Sequence, residues 1–232
     1  MSNGNTNFFE RLFKLWAMVC ELVMDDKRNA EELCLLLQAF MEGKRLVEAK
    51  PTEELLAGWT KFYRDVFGLE LDFSGVKIPE RKPGFDHLIV VAQGMTPQRL
   101  FDKCVELFPS LKYPDKNLDE IIISDRTAKD GAYAIWVRDR VEADDENKNL
   151  SADQLKERGG CEETLEERLL HELKFFNETG QHLDIVNWTL CAGSRYSDGS
   201  VPYVNWYDDG LGVSWYDSSG RHGDLRSRSV VS

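Results

Sequence analysis

The sequence has no long hydrophobic run at its start. The apolar stretch that follows the polar segment Met1–Asn7 is broken by Glu10, Arg11 and Lys14, so it reads as neither a signal-peptide core nor a membrane span. A cytoplasmic protein is the expectation. Positive charge is also scarce: 29 basic residues stand against 41 acidic ones, a net charge of -12. Such a chain repels polyanions, which argues against nucleic acid and anionic membrane as partners. The five cysteines, Cys20, Cys34, Cys104, Cys161 and Cys191, are odd in number and form no C-x-x-C pair. Neither a zinc site nor a disulfide framework follows, and buried free thiols are expected. The four histidines, His87, His171, His182 and His222, do not fall at ligand spacing, so no metal and no cofactor is expected. His171 reads as part of a solvated helix face. Walker loop, G-x-S-x-G elbow and dinucleotide fingerprint are all missing, and the chain is read as a non-enzyme. Asp208 and Asp209 with Asp217 are the one carboxylate group suited to a divalent cation, but their glycine neighbours favour hairpin turns.

Hydrophobic residues make up 42% of the chain, enough for a real core. Phe9, Leu12, Phe13, Trp16, Val19, Cys20 and Val23 recur at helical spacing, and further helices are expected over 29–48 and from Pro51 to Gly68. An N-terminal helical segment over 1–73, able to self-associate through its aromatic stripe, is followed by a Gly/Pro-rich linker over 74–84. A domain over 85–232 follows. His87–Ala92 reads as a buried strand, and Thr96-Pro97 opens a helix. Leu111–Asp119 reads as a loop, and Ala132–Arg138 as a strand. Ser151 with Gln154 and Thr164 with Glu167 form capping boxes for two helices, the second closed by Gly180. Short strands are then expected at Ile185–Leu190, Tyr203–Tyr207, Leu211–Tyr216 and Leu225–Val231. The fold class is α+β: strand, two helices, four antiparallel strands.

The last 38 residues, Arg195–Ser232, contain no lysine, glutamate, glutamine or methionine, whereas the preceding 194 contain 45 of them. At that frequency about nine are expected in the tail. Strand preference depletes Lys and Glu but does not remove all four types across turns as well. Tyr, Ser, Asp, Gly, Asn, Arg and His fill the tail. Each can be encoded with free first and second bases and a pyrimidine third base, the signature left by adenine-directed mutagenesis of AAC and AAT codons. The same mixture serves antibody loops as rigid aromatic area plus adaptable hydrogen bonding. Val204, Trp206, Leu211, Val213, Trp215, Leu225 and Val230 read as inward. Tyr203, Asn205, Tyr207, Ser214 and Tyr216 interleave with them and are expected to face outward.

The element order resembles the C-type-lectin fold, with Ala132–Arg138 and Leu225–Val231 as the pair that joins first and last strands. The run from Trp188 to Ser232 resembles the C-terminal region of variable proteins of diversity-generating retroelements, most closely the short bacterial ones of the candidate phyla. The resemblance covers about residues 84–232. It implies a display protein that binds an unknown protein or surface ligand through a hypervariable region, about 195–228. The ligand-binding variable residues it implies are Tyr196, Ser197, Asp198, Ser200, Tyr203, Asn205, Tyr207, Asp208, Asp209, Ser214, Tyr216, Asp217, Ser219, Arg221, His222 and Asp224. Arg195, Pro202, Trp206, Trp215, Leu225, Arg226 and Arg228 are implied as framework. The family's Gly-Gly-Ser-Trp motif is represented only by Gly212-Val213-Ser214-Trp215. The Glu-Pro-Asn motif of calcium-dependent lectins is missing, so no calcium-dependent sugar binding is implied. The cysteine pair of formylglycine-generating enzymes, which share the fold, is missing too. The alternative expectation is a non-diversified lectin-like adaptor or oligomerisation protein acting through its N-terminal helices.

Overall fold

The computed structural model describes residues 51–207 and 210–232, together with Phe13, Lys14, 16–21, Met24, Cys34 and Leu37, all of which are helical. Most of the expected helices over Phe9–Val23 and 29–48 lies outside the described residues, as do Asp208 and Asp209. Among the described residues no helix is long and apolar enough to cross a membrane. Two compact units divide the chain, Met1–Ala49 and Lys50–Ser232.

The second unit begins earlier than the sequence reading placed it. Helix α1 (Thr52–Phe67) is closed by Gly68, whose φ of 66° is the left-handed cap conformation. Its inward residues Trp59, Phe62 and Tyr63 are buried in the same core as β1 (His87–Val91). Two hydrogen-bonding rings hold it there. Trp59 Nε1 donates to Leu88 O at 2.9 Å. Tyr63 OH donates to Val90 O at 2.9 Å and accepts from Ala92 N at 3.0 Å. These polar tips satisfy the end of an otherwise apolar strand. The segment 74–84 therefore runs within one unit instead of joining two.

The unit is mixed α+β. Helix α2 (Pro97–Leu107) starts as its sequence signals, with the Thr96 hydroxyl accepting from Arg99 N. It is followed by β2 (Ser110–Lys112), α3 (Leu118–Ile121) and β3 (Ile122–Ser124); β2 and the start of α3 fall in Leu111–Asp119, read as a loop. Strand β4 (Tyr133–Val137) pairs antiparallel with β1 along its whole length. It meets the C-terminal segment only at Trp136 and Val231, which exchange both backbone hydrogen bonds at 2.9 Å. Helices α4 (Ala152–Glu157) and α5 (Leu165–Thr179) both begin in complete capping boxes.

The tail supplies β5 (Trp188–Leu190), β6 (Ser194–Tyr196), β7 (Val201–Tyr207), β8 (Gly210–Tyr216) and β9 (Leu225–Arg226). The main sheet has the order β2-β8-β7-β5-β9, and β3 with β6 forms a separate pair. Strands β5, β7 and β8 are antiparallel to their neighbours in that trio, but β9 pairs parallel to β5 and β2 parallel to β8. The expected set of four antiparallel strands is thus corrected to a mixed sheet. The strand expected over Leu225–Val231 is only two residues long, because Ser227 and Arg228 turn their side chains into hydrogen bonds beneath the sheet.

Helix α5 is buried from Leu165 to Lys174, including its charged residues. That corrects the reading of His171 as solvated: it is buried and stacked on His87 at 4.8 Å. A helix surrounded on all sides must neutralise its polar groups internally. Glu167 meets Arg126, Glu172 meets Arg168 and His182, and Arg168 also meets Asp184. The Asp184 carboxylate accepts from Arg168 Nε at 2.9 Å, Arg228 Nη2 at 2.7 Å, Ala143 N at 2.8 Å and the Thr189 hydroxyl. Burial alone would raise its carboxyl; the guanidinium groups of Arg228 and Arg168 outweigh that and hold it below the usual range. Arg228 also donates to Arg140 O and Val141 O at 2.9 and 2.8 Å, so the C-terminal segment is pinned across the domain. Glu163 lies beside this cluster, fully buried, with neither carboxylate oxygen hydrogen-bonded. Its nearest neighbours are His171 Nδ1 at 3.4 Å and Arg228 Nε at 3.9 Å.

Of the cysteines, Cys104 and Cys191 are buried and Cys34 is exposed, which departs from the expectation of five buried thiols. Trp206 and Trp215 also part company. Trp206 is half-buried and stacks on His182, ring centroids 3.4 Å apart, with Phe108 at its edge. Trp215 stands opposite Pro202, two residues past Val213 near the end of β8, and is 47% exposed. Expected as framework, it is instead a surface ring. Trp206→Ala is expected to cost about 2–3 kcal/mol and Trp215→Ala less than about 1 kcal/mol in urea unfolding. Equal losses would overturn the distinction.

Candidate binding face

Pairing in the main sheet sorts the tail by side. Residues paired across strands share a face, and faces alternate along each strand. Val204 with Val213 and Trp206 with Leu211 lie on the side of the main core. Tyr203 with Ser214, Asn205 with Gly212, Tyr207 with Gly210 and Val201 with Tyr216 lie on the other. Trp188 and Leu190 of β5 join this outer side through the pair Leu190–Tyr203. One end of the outer face is covered: Ala152 and Leu155 of α4 pack on Leu190, Val201 and Leu225 in a second small core. The rest is open.

An aromatic row lies at the margin of the small core. His222 stacks on Trp188 with centroids 4.9 Å apart and planes parallel, and Trp188 stacks on Tyr203 at 5.2 Å and 17°. Tyr216 meets Tyr203 edge to face at 6.3 Å. Tyr207 lies further along β7 and is 69% exposed. Because Trp188 stacks with both His222 and Tyr203, the rings brace one another. This rigidity lowers the ordering cost of binding.

The structure brings together Tyr203, Asn205, Tyr207, Ser214, Tyr216 and His222, with Asp217, Ser219, Arg221 and Asp224 in the exposed loop after β8. Asp217 Oδ1 accepts from Ser219 N and Oγ at 2.9 and 2.6 Å. Arg221 Nε donates to Asn149 O at 2.9 Å. Asp198 and Ser200 repeat the same turn before β7, with Ser197 exposed beside them. Two expected contact residues are not presented. Tyr196 is 5% exposed; it sits opposite Ile122 in the β3–β6 pair, outside the main sheet. Asn205 is 9% exposed although it is on the outer side. It lies over Gly212, where a Cβ would come within 2.7 Å of its Oδ1.

Three residues of this face escaped the sequence reading: Trp188, which precedes the depleted tail, and Leu111 and Tyr113, which come from β2. The composition signal carried no information about them, because it starts at Arg195. The exposed alternation of Leu111 and Tyr113 was the available clue, hidden by the brevity of the strand.

Comparison of this chain with protein-family models, with curated proteins and with solved structures finds no match. The site's chemistry therefore rests on its own geometry. Among the described residues no group of His, Cys, Asp or Glu is placed to hold a metal ion. A cleft of about 820 Å³ lies elsewhere, lined in part by Lys77, Pro79, Arg126, Tyr133 and Ser232. Its arginine is already engaged: Arg126 Nε and Nη2 donate to Glu167 at 2.8 Å, and Nη1 to Cys161 Sγ at 2.8 Å. The tyrosine-rich sheet face is the better candidate because Tyr207 and His222 stand exposed on it beside the stacked rings.

Proposed function

We propose that the chain is a ligand-binding display protein. Its scaffold is of the C-type-lectin type, and its C-terminal surface, about residues 195–228, is diversified by adenine-directed retroelement mutagenesis. The observation that carries this reading is the coincidence of two independent sortings. The tail is restricted to residues compatible with pyrimidine-ended codons, and the ring-bearing members of that set other than Tyr196 fall on or beside one open sheet face. Tyr207, 69% exposed beside the half-buried Tyr203 and Tyr216, is the kind of aromatic surface that a partner would cover. The link of Trp136 to Val231, which ties the strand within Ala132–Arg138 to the C-terminal segment, supports the scaffold assignment. A cytoplasmic location fits the acidic composition.

The test is the nucleotide sequence of the gene and its surroundings. Codons 196–224 are expected to end in pyrimidines at the variable positions. A near-copy bearing adenines there is expected beside a reverse-transcriptase gene. Ordinary third bases with no repeat nearby would replace this reading with the non-diversified adaptor.

A further inference from the structure

In an antiparallel pair each strand turns the backbone groups of alternate residues toward its partner. Trp136 exchanges both of its backbone hydrogen bonds with Val231, on the edge of β4 away from β1. Ala134, two residues earlier, therefore turns its N–H and C=O to that same outer edge, while Tyr133, Ile135 and Val137 face β1. The far side of β1 follows the same alternation: Leu88 and Val90 turn their carbonyls away from β4, to Trp59 and Tyr63. Neither backbone group of Ala134 has a hydrogen-bond partner among the described residues, although the residue is only 4% exposed. Buried backbone groups are almost always paired. The edge at Ala134 opens instead on the cleft of about 820 Å³, which it lines together with Ile78, Pro79 and Val231.

Charge does not choose the occupant of this cleft. Lys77 and Lys82 line it together with Glu80 and Asp125, and Arg126 is held by Glu167. The backbone does choose. The N–H and C=O of one residue, side by side on a strand edge, are matched by the C=O and N–H of an extended chain. The same edge already takes an extended chain at the next pairing position, where the segment 230–232 lies against Trp136. Ile78, Pro79, Ala132 and Val231 give the cleft apolar walls around the unpaired groups.

We propose that this cleft takes an extended, uncharged polypeptide segment from a partner, paired on the β4 edge at Ala134 with its apolar side chains against the cleft walls. Main-chain hydrogen bonds supply the affinity, and the apolar lining sets the preference for side chains. The site stands apart from the tyrosine-rich face and does not depend on diversification. Apart from Val231 and Ser232, its lining residues precede the depleted tail, so it gives the chain an attachment point outside the candidate variable residues.

The experiment is selection of a random dodecapeptide phage library on the full chain, scored against Ala134→Pro. Proline deletes the outward N–H and crowds the edge, and it spares the ladder to β1, which Ala134 does not join. Enriched peptides are expected to lose affinity by about tenfold or more on the variant and to bind equally well with added salt. Each is then N-methylated one residue at a time and measured on the parent. Affinity is expected to fall by about tenfold or more at every second position, where the peptide N–H faces β4, and little at those between. The peptide should also protect the Ala134 amide of the parent from hydrogen exchange. These two readouts need no substituted protein, so they hold even where Ala134→Pro fails to fold. No enrichment, enrichment indifferent to Ala134→Pro, N-methyl losses without a period of two, or an Ala134 amide left unprotected would each overturn the proposal.

Discussion

Asp184→Ala is expected to lower unfolding stability by about 3–5 kcal/mol, the cost of removing one partner from a buried ion cluster. The loss comes less from attraction forgone than from what is left behind. Arg168 would keep only Glu172 and Arg228 only the longer contact to Glu163, and Ala143 N and the Thr189 hydroxyl would lose their acceptor. The substitution also disturbs backbone geometry, since Asp184 has a φ of 54°, a region Asp tolerates better than Ala. Asp184→Asn keeps that tolerance and removes only the charge, so it separates the two contributions. Urea unfolding at pH 7 reads both. A loss below about 1 kcal/mol for Asp184→Ala would show that the cluster has no net role. The acid dependence has a definite sign. The Asp184 carboxyl is depressed in the folded state, so its stabilisation is present above the ordinary Asp value of about 3.9. It is lost as pH falls through the folded value.

Glu163→Gln is expected to stabilise the protein at alkaline pH, on the order of 2–4 kcal/mol at pH 9. Burial pushes the Glu163 carboxyl up to about 8, with Arg228 and Arg168 offsetting only part of the effect. In the unfolded chain the same group ionises near 4.5. Between those values the native state retains a proton that the unfolded state releases, so stability declines as pH rises through the window. Glutamine has no proton to release, and the variant's melting temperature should fall less from pH 6 to pH 9. Glu166, also pushed up to about 8 by burial and by Glu167, keeps some slope in the variant. The acid limb has a different origin. His87 and His171 are held below their usual range by burial, and His171 further by the neighbouring His87 ring. Their contribution is present above about 6.5 and is lost as pH falls through their folded values. Identical alkaline slopes in parent and variant would remove Glu163 from this account.

Capping chemistry was the most legible part of the fold. Thr96, Ser151 and Thr164 each mark a helix start in the sequence and each accepts the expected backbone N–H. Local signals of this kind need no knowledge of neighbours. The outer residues of β7 and β8 were legible for a similar reason, since period-two alternation is written in the strand itself. Pairing direction was not. Nothing in Leu225 and Arg226 shows that they run parallel to Trp188 and Thr189. The place of α1 was hidden because an aromatic stripe looks the same whether it meets its own strands or another helix. The polar interior of α5 was misread for a physical reason: Glu166, Arg168 and His171 have the composition of a solvated face, and only the distant Asp184 and Arg228 reveal that it is enclosed. Tyr196 is buried in the separate β3–β6 pair, and Trp215 keeps the core side of β8 yet is exposed near the strand's end, because position within a sheet, not residue type, fixes exposure.

The contact between Asp184 and Arg228 joins positions 44 apart in sequence, and it brackets nearly the whole tail. In polymer terms it is a ring closure. A cross-link of that span restricts the conformations open to the intervening chain, and the logarithmic dependence on length makes a long ring only slightly more costly to close than a short one. Small domains in oxidising surroundings achieve this with a disulfide; this chain uses a carboxylate and a guanidinium under cover. Inside such a ring, a substitution at an exposed position such as Tyr207 alters what the surface touches without loosening the ends that hold it. Under the proposed display function, exposed positions between Trp188 and Leu225 would be the ones to vary, while buried ones such as Val204 and Val213 hold the path of the chain.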